Sequence, residues 1–163
     1  MTGRPADRDT WTTPLSVYRW AQHVAGGAFD YDAACDSNNA LATPLWSRPE
    51  FTPGDSLSHR WPDGCRIFCN PPYSDIDPWV AYALGCASLT AMLIMSPNGE
   101  ERFFDLIPNA FEFTLVGRIG FLGANGKPIN GNTRGSSLFL INAGQYNGQR
   151  RIIRRSTIFR DFS

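Results

Sequence analysis

The chain has 163 residues, 42% of them hydrophobic and 18% charged, enough for one compact domain with a sizeable core and not for two. No run of about 18 apolar residues is present, and the start, "MTGRPADRDTW", is polar, so the expectation is a soluble protein without an export signal or membrane span. Zero net charge argues against gripping nucleic acid over a wide face, but the charge is uneven: residues 1–145 carry 10 Lys/Arg against 14 Asp/Glu, whereas 146–163 carry Arg150, Arg151, Arg154, Arg155 and Arg160 against Asp161 alone.

Taken in chain order, "TTPLSVYRWAQHVAGG" opens the structure. Thr13 is able to cap, Pro14 suits a first helical position, apolar residues recur at helical spacing and Gly26-Gly27 end the pattern, which predicts a helix over 14–25. "AFDYDAA" reads as a short strand entering a loop of small residues with acids at Asp30, Asp32 and Asp36. Cys35, Cys65, Cys69 and Cys86 are expected to be reduced, because the apolar content supplies a core that needs no staples. Cys65 and Cys69, four apart with His59 as the one nearby histidine, match no zinc spacing, and no metal is expected.

"RIFCN" is a second strand, stopped by Pro71 and Pro72. Asp77 and Pro78 then begin a helix through "WVAYALGCASL", and "TAMLIM" is a continuous apolar run typical of a strand buried on both faces. A helix from Glu100 to Ile107 follows, then "FEFTLV", then "IGFLG" and "SSLFLIN" on either side of a Gly/Asn-rich loop from Gly123 to Gly135. Helices alternating with buried strands, followed by clustered strands, predict an α/β domain with a mainly parallel sheet and an antiparallel hairpin at one edge.

"NPPY", residues 70–73, carries the chemistry. Two prolines fix φ and have no N–H, so the Pro71 carbonyl is left without a local donor beside the Asn70 side-chain oxygen. Two neutral acceptors close together suit an –NH₂ group. Drawing its hydrogens out of plane localises the nitrogen lone pair as an electrophile approaches, which is stabilisation aimed at the transition state. Tyr73 offers a face on which a base stacks, and a base held in a duplex reaches such a pocket only when flipped out.

"WTTP", "FDYDAACDSNNAL", "GDSL", "IFCNPPYSDIDPWV" and "GRIGFLG", in this order, resemble the phage-type DNA N-6-adenine methyltransferases, the Dam-like phage family, over about residues 11–142. The resemblance implies a Rossmann-like fold, S-adenosylmethionine as methyl donor, and transfer to the 6-amino group of adenine in double-stranded DNA, in the cytoplasm of a bacterial host. It makes Asn70, Pro71, Pro72 and Tyr73 the catalytic turn. It also implies that Thr13 and Pro14 lie in the cofactor segment, that Asp32, Ala33, Ala34 and Asp36 form the motif after the first strand with Asp36 toward the ribose hydroxyls, and that Asp55 lies near the cofactor's adenine amine.

On the residues alone, Asp36 equally caps its own turn and Asp55 equally is a loop acid. No glycine-rich motif follows the first strand; Ala33 and Ala34 stand in, as is usual for the family it resembles, whereas "SPNGEERFF" departs from the polar residues expected after "MLIM", leaving Asn98 as the candidate facing the target base. No separate target-recognition domain fits the length. DNA contacts are therefore expected from Arg118, from Lys127 and Arg134 in the Gly123–Gly135 loop, and from Arg150 and Arg151 in the tail, against the alternatives of a surface ion pair, a hairpin tip, and a C-terminal strand or helix with a solvated face. "NPPY" alone also serves cytosine, an RNA base or a glutamine amide, and a binding module that counters a host defence without methylating is the reading from another class.

Overall fold

The computed structural model describes residues 9–95, 101–129 and 135–163. Helix α1 (Leu15–Val24) puts Val17, Tyr18, Trp20 and Ala21 on one buried face. Its N-cap is Pro14, whose carbonyl accepts from Val17 and Tyr18 N–H, and Thr13 makes no cap bond, contrary to the sequence expectation. Gly26 and Gly27, at φ +80° and +156°, end the helix with Gly27 N–H donating to the Gln22 carbonyl.

The strands are β1 (Tyr31–Asp32), β2 (Thr43–Pro44), β3 (Arg66–Cys69), β4 (Leu89–Met95), β5 (Ala110–Val116), β6 (Ser136–Ile141) and β7 (Arg150–Arg154). The remaining helices are α2 (Asp77–Leu84), α3 (Arg102–Leu106) and α4 (Arg155–Asp161). Among the described residues the strands form one mixed sheet of order β2-β1-β3-β4-β6-β5-β7. Strands β1 to β4 pair in parallel, β6 runs antiparallel to both β4 and β5, and β7 is parallel to β5. Six strands therefore share one direction, and β6 alone opposes them.

The expected mainly parallel α/β sheet is present, but the antiparallel strand is β6, which pairs with both β4 and β5 and lies inside the sheet. "IGFLG" is not a strand. Ile119 and Phe121 are buried as an alternating pattern demands, yet Leu122 makes only isolated bridges to Thr12 and Pro128. The arginine-rich tail takes the strand-and-helix alternative: β7 is the edge strand, with Arg150 Nε bonded to buried Glu112 Oε2 at 2.8 Å, and α4 turns back so that Ile158 is fully buried.

Alternation along the strands divides the core between two helical layers. Ile67, Cys69, Met92, Ile94, Phe139 and Ile141 pack with Val80 and Ala83 of α2 and Leu106 of α3. Phe68, Ala91, Leu93 and Leu138 pack with Val17 and Trp20 of α1 and Ile158 of α4. The carboxyl ends of β1, β3, β4, β5 and β7, with the amino end of β6, share one edge of the sheet.

Candidate active site

The Asn70–Tyr73 turn stands on that edge because β3 cannot continue past Asn70. Pro71 and Pro72 have no N–H for a ladder, while Ile67, Phe68 and Cys69 before them are at most 1% exposed. β1 lies in register beside β3, Asp32 against Phe68, and its pairing continues through Ala33 N–H to the Phe68 carbonyl at 2.9 Å. Asp32 and Asn70 thus rise side by side.

Asn70 is held by its amide nitrogen. Nδ2 donates to Thr13 Oγ1 at 3.1 Å, and Oδ1, shielded from solvent, has no hydrogen-bond partner among the described residues. A buried, unpaired amide oxygen costs about 1–3 kcal/mol unless a donor arrives. Among the described residues no backbone N–H donates to the Pro71 carbonyl, whereas the Pro72 carbonyl accepts from Asp75 at 3.2 Å. Among the described residues neither the Asn70 Oδ1 nor the Pro71 carbonyl has a hydrogen-bond partner.

Asp32 is 4% exposed and accepts Leu41 N–H on Oδ2 at 3.1 Å. Burial pushes its carboxyl up to about 7, against the opposing pull of the Leu41 and Ala34 N–H groups. Its neighbour Cys35 is pushed up to about 12 by burial and by the Asp32 and Asp36 charges, and so stays a neutral thiol. Trp46 Nε1 donates to the Cys35 carbonyl at 2.9 Å and pins the loop.

Tyr73 is half-buried in a cluster of aromatic rings. Trp11 meets it edge-on at 6.5 Å, Phe121 at 6.0 Å, and Trp11 and Phe121 stack on each other at 5.8 Å. Burial holds the Tyr73 phenol well above its ordinary range, and the Ser136 hydroxyl beside it, itself buried and unpaired, does not complete a well-formed hydrogen bond.

A cleft runs between these groups, lined by Trp11, Thr13, Asp32, Asn39, Leu41 and Asn70 among others. Its free volume is about 10 Å³, room for about one water. Of the residues expected around a cofactor, Thr13, Asp32 and Ala34 line this cleft. Pro14 caps α1, and Ala33 is 1% exposed in the core. Asp36 instead closes its own turn, Oδ1 accepting from Asn38 at 2.6 Å and Asn39 at 3.1 Å. Asp55, exposed, accepts Leu57 N–H at 2.9 Å in a separate loop.

Of the cationic candidates, Arg118 is exposed just beyond β5, and Lys127 sits in a tight turn closed by Gly123 N–H to the Lys127 carbonyl at 3.0 Å. Arg150 and Arg151 begin β7 at the opposite edge of the sheet, opposite Glu112 and Phe113. Arg134 and Asn98 lie outside the described residues. Trp11, Asn39 and Leu41 were not singled out from the sequence, although each stands inside or beside a quoted motif. Asp9 likewise braces the turn, accepting from Ser74 Oγ at 2.6 Å.

The family model for DNA N-6-adenine-methyltransferase (Dam) matches residues 2–161. The chain belongs to this Dam family. It is 27% identical over 156 residues to the DNA N-6-adenine-methyltransferase of Escherichia phage T1, an alignment covering 83% of the chain and 63% of that relative, so it spans less than two thirds of the phage T1 protein. To the DNA N-6-adenine-methyltransferase of Haemophilus phage HP1 it is 26% identical over 145 residues, 85% of the chain and 81% of the relative. No solved structure matches the chain. In this Dam-family chain the Asn-Pro-Pro-Tyr turn stands at the carboxyl edge of a largely parallel sheet, where open α/β proteins bind ligands.

Proposed function

We propose that the protein is a DNA methyltransferase that transfers a methyl group from S-adenosylmethionine to the 6-amino group of an adenine flipped out of duplex DNA, on a Rossmann-like fold, in the cytoplasm of a phage host and for the protection of phage DNA. The observation that carries this reading is the Asn70 carboxamide, tied by Nδ2 to Thr13, with a buried Oδ1 and a neighbouring Pro71 carbonyl that have no hydrogen-bond partner among the described residues. That is a donor-seeking pair on a stiff turn, suited to an aromatic amine with two hydrogens. The family membership and the activity for which both phage relatives are named support adenine in DNA over other amines.

The lining of the cleft fits a cationic methyl donor: a buried carboxylic acid, Asp32, faces it, a threonine hydroxyl and an amide oxygen supply polar contacts, and Trp11 supplies an apolar wall. Bound there, the donor supplies an electrophilic methyl group and a neutral thioether as leaving group. Asp32 in its ionised form balances positive charge in a site shielded from water, where the interaction exceeds its value in bulk solvent. The cleft has free space for only about one water, so a donor bound there displaces some of the side chains that line it.

Asn70 Oδ1 and the Pro71 carbonyl accept the two amine hydrogens, and the prolines hold both acceptors in place before the base arrives, so little reorganisation remains at the transition state. Removing one preorganised partner of this kind costs about 100–1,000-fold in rate. Tyr73 and Trp11 present aromatic surface next to the turn. Stacking there returns about 1–3 kcal/mol of the few kcal/mol spent on flipping.

The test is transfer of isotope-labelled methyl from S-adenosylmethionine to unmethylated DNA, RNA and protein, with digestion of the DNA to nucleosides and mass spectrometry. Labelled N6-methyladenine from DNA alone is the expected product. Label in cytosine, RNA or protein, or in none of them, refutes the assignment.

A further inference from the structure

The topology separates the tail's arginines into two groups. β7 runs parallel to β5 in the register Glu112 to Arg150 and Val116 to Arg154, so Arg150 and Arg154 stand at opposite ends of the strand, about 13 Å apart at roughly 3.3 Å per residue. Because β5 and β3 point the same way, Arg154 stands at the edge that carries Asn70 and Arg150 at the other. Arg150 is moreover committed to the buried carboxylate of Glu112.

Two further arginines join Arg154. Gly117, at φ +101°, brings the end of β5 against Arg155, whose Cβ lies 3.0 Å from where a Gly117 Cβ would stand. Arg118 is the next residue. Arg118, Arg154 and Arg155 are all exposed, and among the described residues none of the three is paired with a carboxylate, whereas Arg48, Arg60, Arg150 and Arg160 each are. Arg155 lies over the Phe159 ring at 4.6 Å, which keeps its guanidinium against the protein surface. At the other end of the same edge, beyond β1, Asp36 is exposed, and Asp75 and Asp77 are exposed just after the turn.

We infer that Arg118, Arg154 and Arg155 form the phosphate-binding track for the DNA substrate, laid along the carboxyl edge to one side of the flipped base, and that Arg151 takes no part in it. This rests on the proposed DNA methyltransferase activity and adds the footprint. From β3 the order β4, β6, β5, β7 places β5 three strand spacings away and β7 four, about 14 and 19 Å at roughly 4.8 Å each. Successive phosphates on one strand are about 3.4 Å apart along the axis, so the track meets the backbone about four to six base pairs from the target adenine.

The experiment measures binding of a 30-base-pair duplex by fluorescence anisotropy across a salt series, for the wild type, for the Arg118→Gln/Arg154→Gln/Arg155→Gln triple variant and for Arg151→Gln. Thermal melting and calorimetric S-adenosylmethionine affinity, expected to be unchanged in the triple variant, report on the fold. Each phosphate contact contributes about 0.9 to the slope of log K against log salt, so the triple variant loses up to about 2.7 while Arg151→Gln keeps the wild-type slope. In methyl-transfer assays the gap between wild type and triple variant closes on duplexes with fewer than about four base pairs flanking the methylated adenine on each side. A triple variant with the wild-type slope, an equal loss in Arg151→Gln, or a rate gap that persists on the shortest duplexes overturns the inference. A wild type that methylates no DNA removes the activity itself, an outcome distinct from a wild type that methylates while the triple variant keeps its slope.

Discussion

The Asp32 carboxyl makes a quantitative demand on the protein's pH dependence. It is 4% exposed, and two backbone N–H groups do not offset the loss of water, so its pKa stands at about 7 against 3.8 for a solvated aspartate. The displacement is roughly 3 pH units, on the order of 4 kcal/mol at 1.36 kcal/mol per unit. Below about pH 4 the group is protonated in both folded and unfolded chains and costs nothing. Between about pH 4 and 7 the unfolded chain releases its proton while the folded one keeps it, so stability falls as pH rises, and above about pH 7 the full penalty is carried. Asp32→Asn removes this dependence while keeping an oxygen for the Leu41 N–H. Urea unfolding of both proteins from pH 4.5 to 8.5 therefore shows the variant gaining on the wild type by up to about 4 kcal/mol, with most of the gain complete by pH 7. In the wild type, affinity for a cationic donor rises through the same interval, because a positive charge in the cleft draws the proton off. A stability difference that stays constant across the series refutes the reasoning.

Thr13→Val removes the acceptor for Asn70 Nδ2 and leaves that donor unpaired; the expected cost is about 1–3 kcal/mol in melting experiments, with a drop in kcat and a weakened donor affinity, since the hydroxyl also lines the cleft. Arg150→Ala strips the charged partner from Glu112, which is 3% exposed, and about 1–3 kcal/mol is lost, with hydrogen exchange accelerated first in β7. Gly117→Ala forces an L side chain into φ +101° and into Arg155, lowering stability by about 1–3 kcal/mol as read by thermal unfolding.

The strands legible in the sequence were those held by burial. "TAMLIM" and "RIFC" are continuous apolar runs, and they became the centre of the sheet with nearly every described side chain sealed. β7 is the opposite case: "RRIIR" is charged and exposed, Ile152 is 67% exposed, and the strand exists because its backbone pairs with β5 and Arg150 reaches Glu112. Composition carries no sign of such long-range bonds. "IGFLG" shows the converse failure, for its alternation is right and its residues are buried, but the flanking chain pairs only at isolated bridges.

At the site, the Pro-Pro turn was legible because prolines act locally. Asp32 and Asp36 are two acids in one loop of small residues, and the resemblance favoured Asp36 for the ribose hydroxyls. Only the fold shows that one is sealed beside Asn70 and the other spent on its own turn. Thr13 read as a helix cap and turned out to hold the Asn70 amide 57 positions away.

The most direct test is single-turnover methyl transfer by the wild type and Asn70→Ala at saturating S-adenosylmethionine and DNA, with donor affinity measured alongside. The account predicts a rate lower by about 100–1,000-fold and a donor affinity within a few-fold of wild type. Equal rates in the two proteins would contradict it.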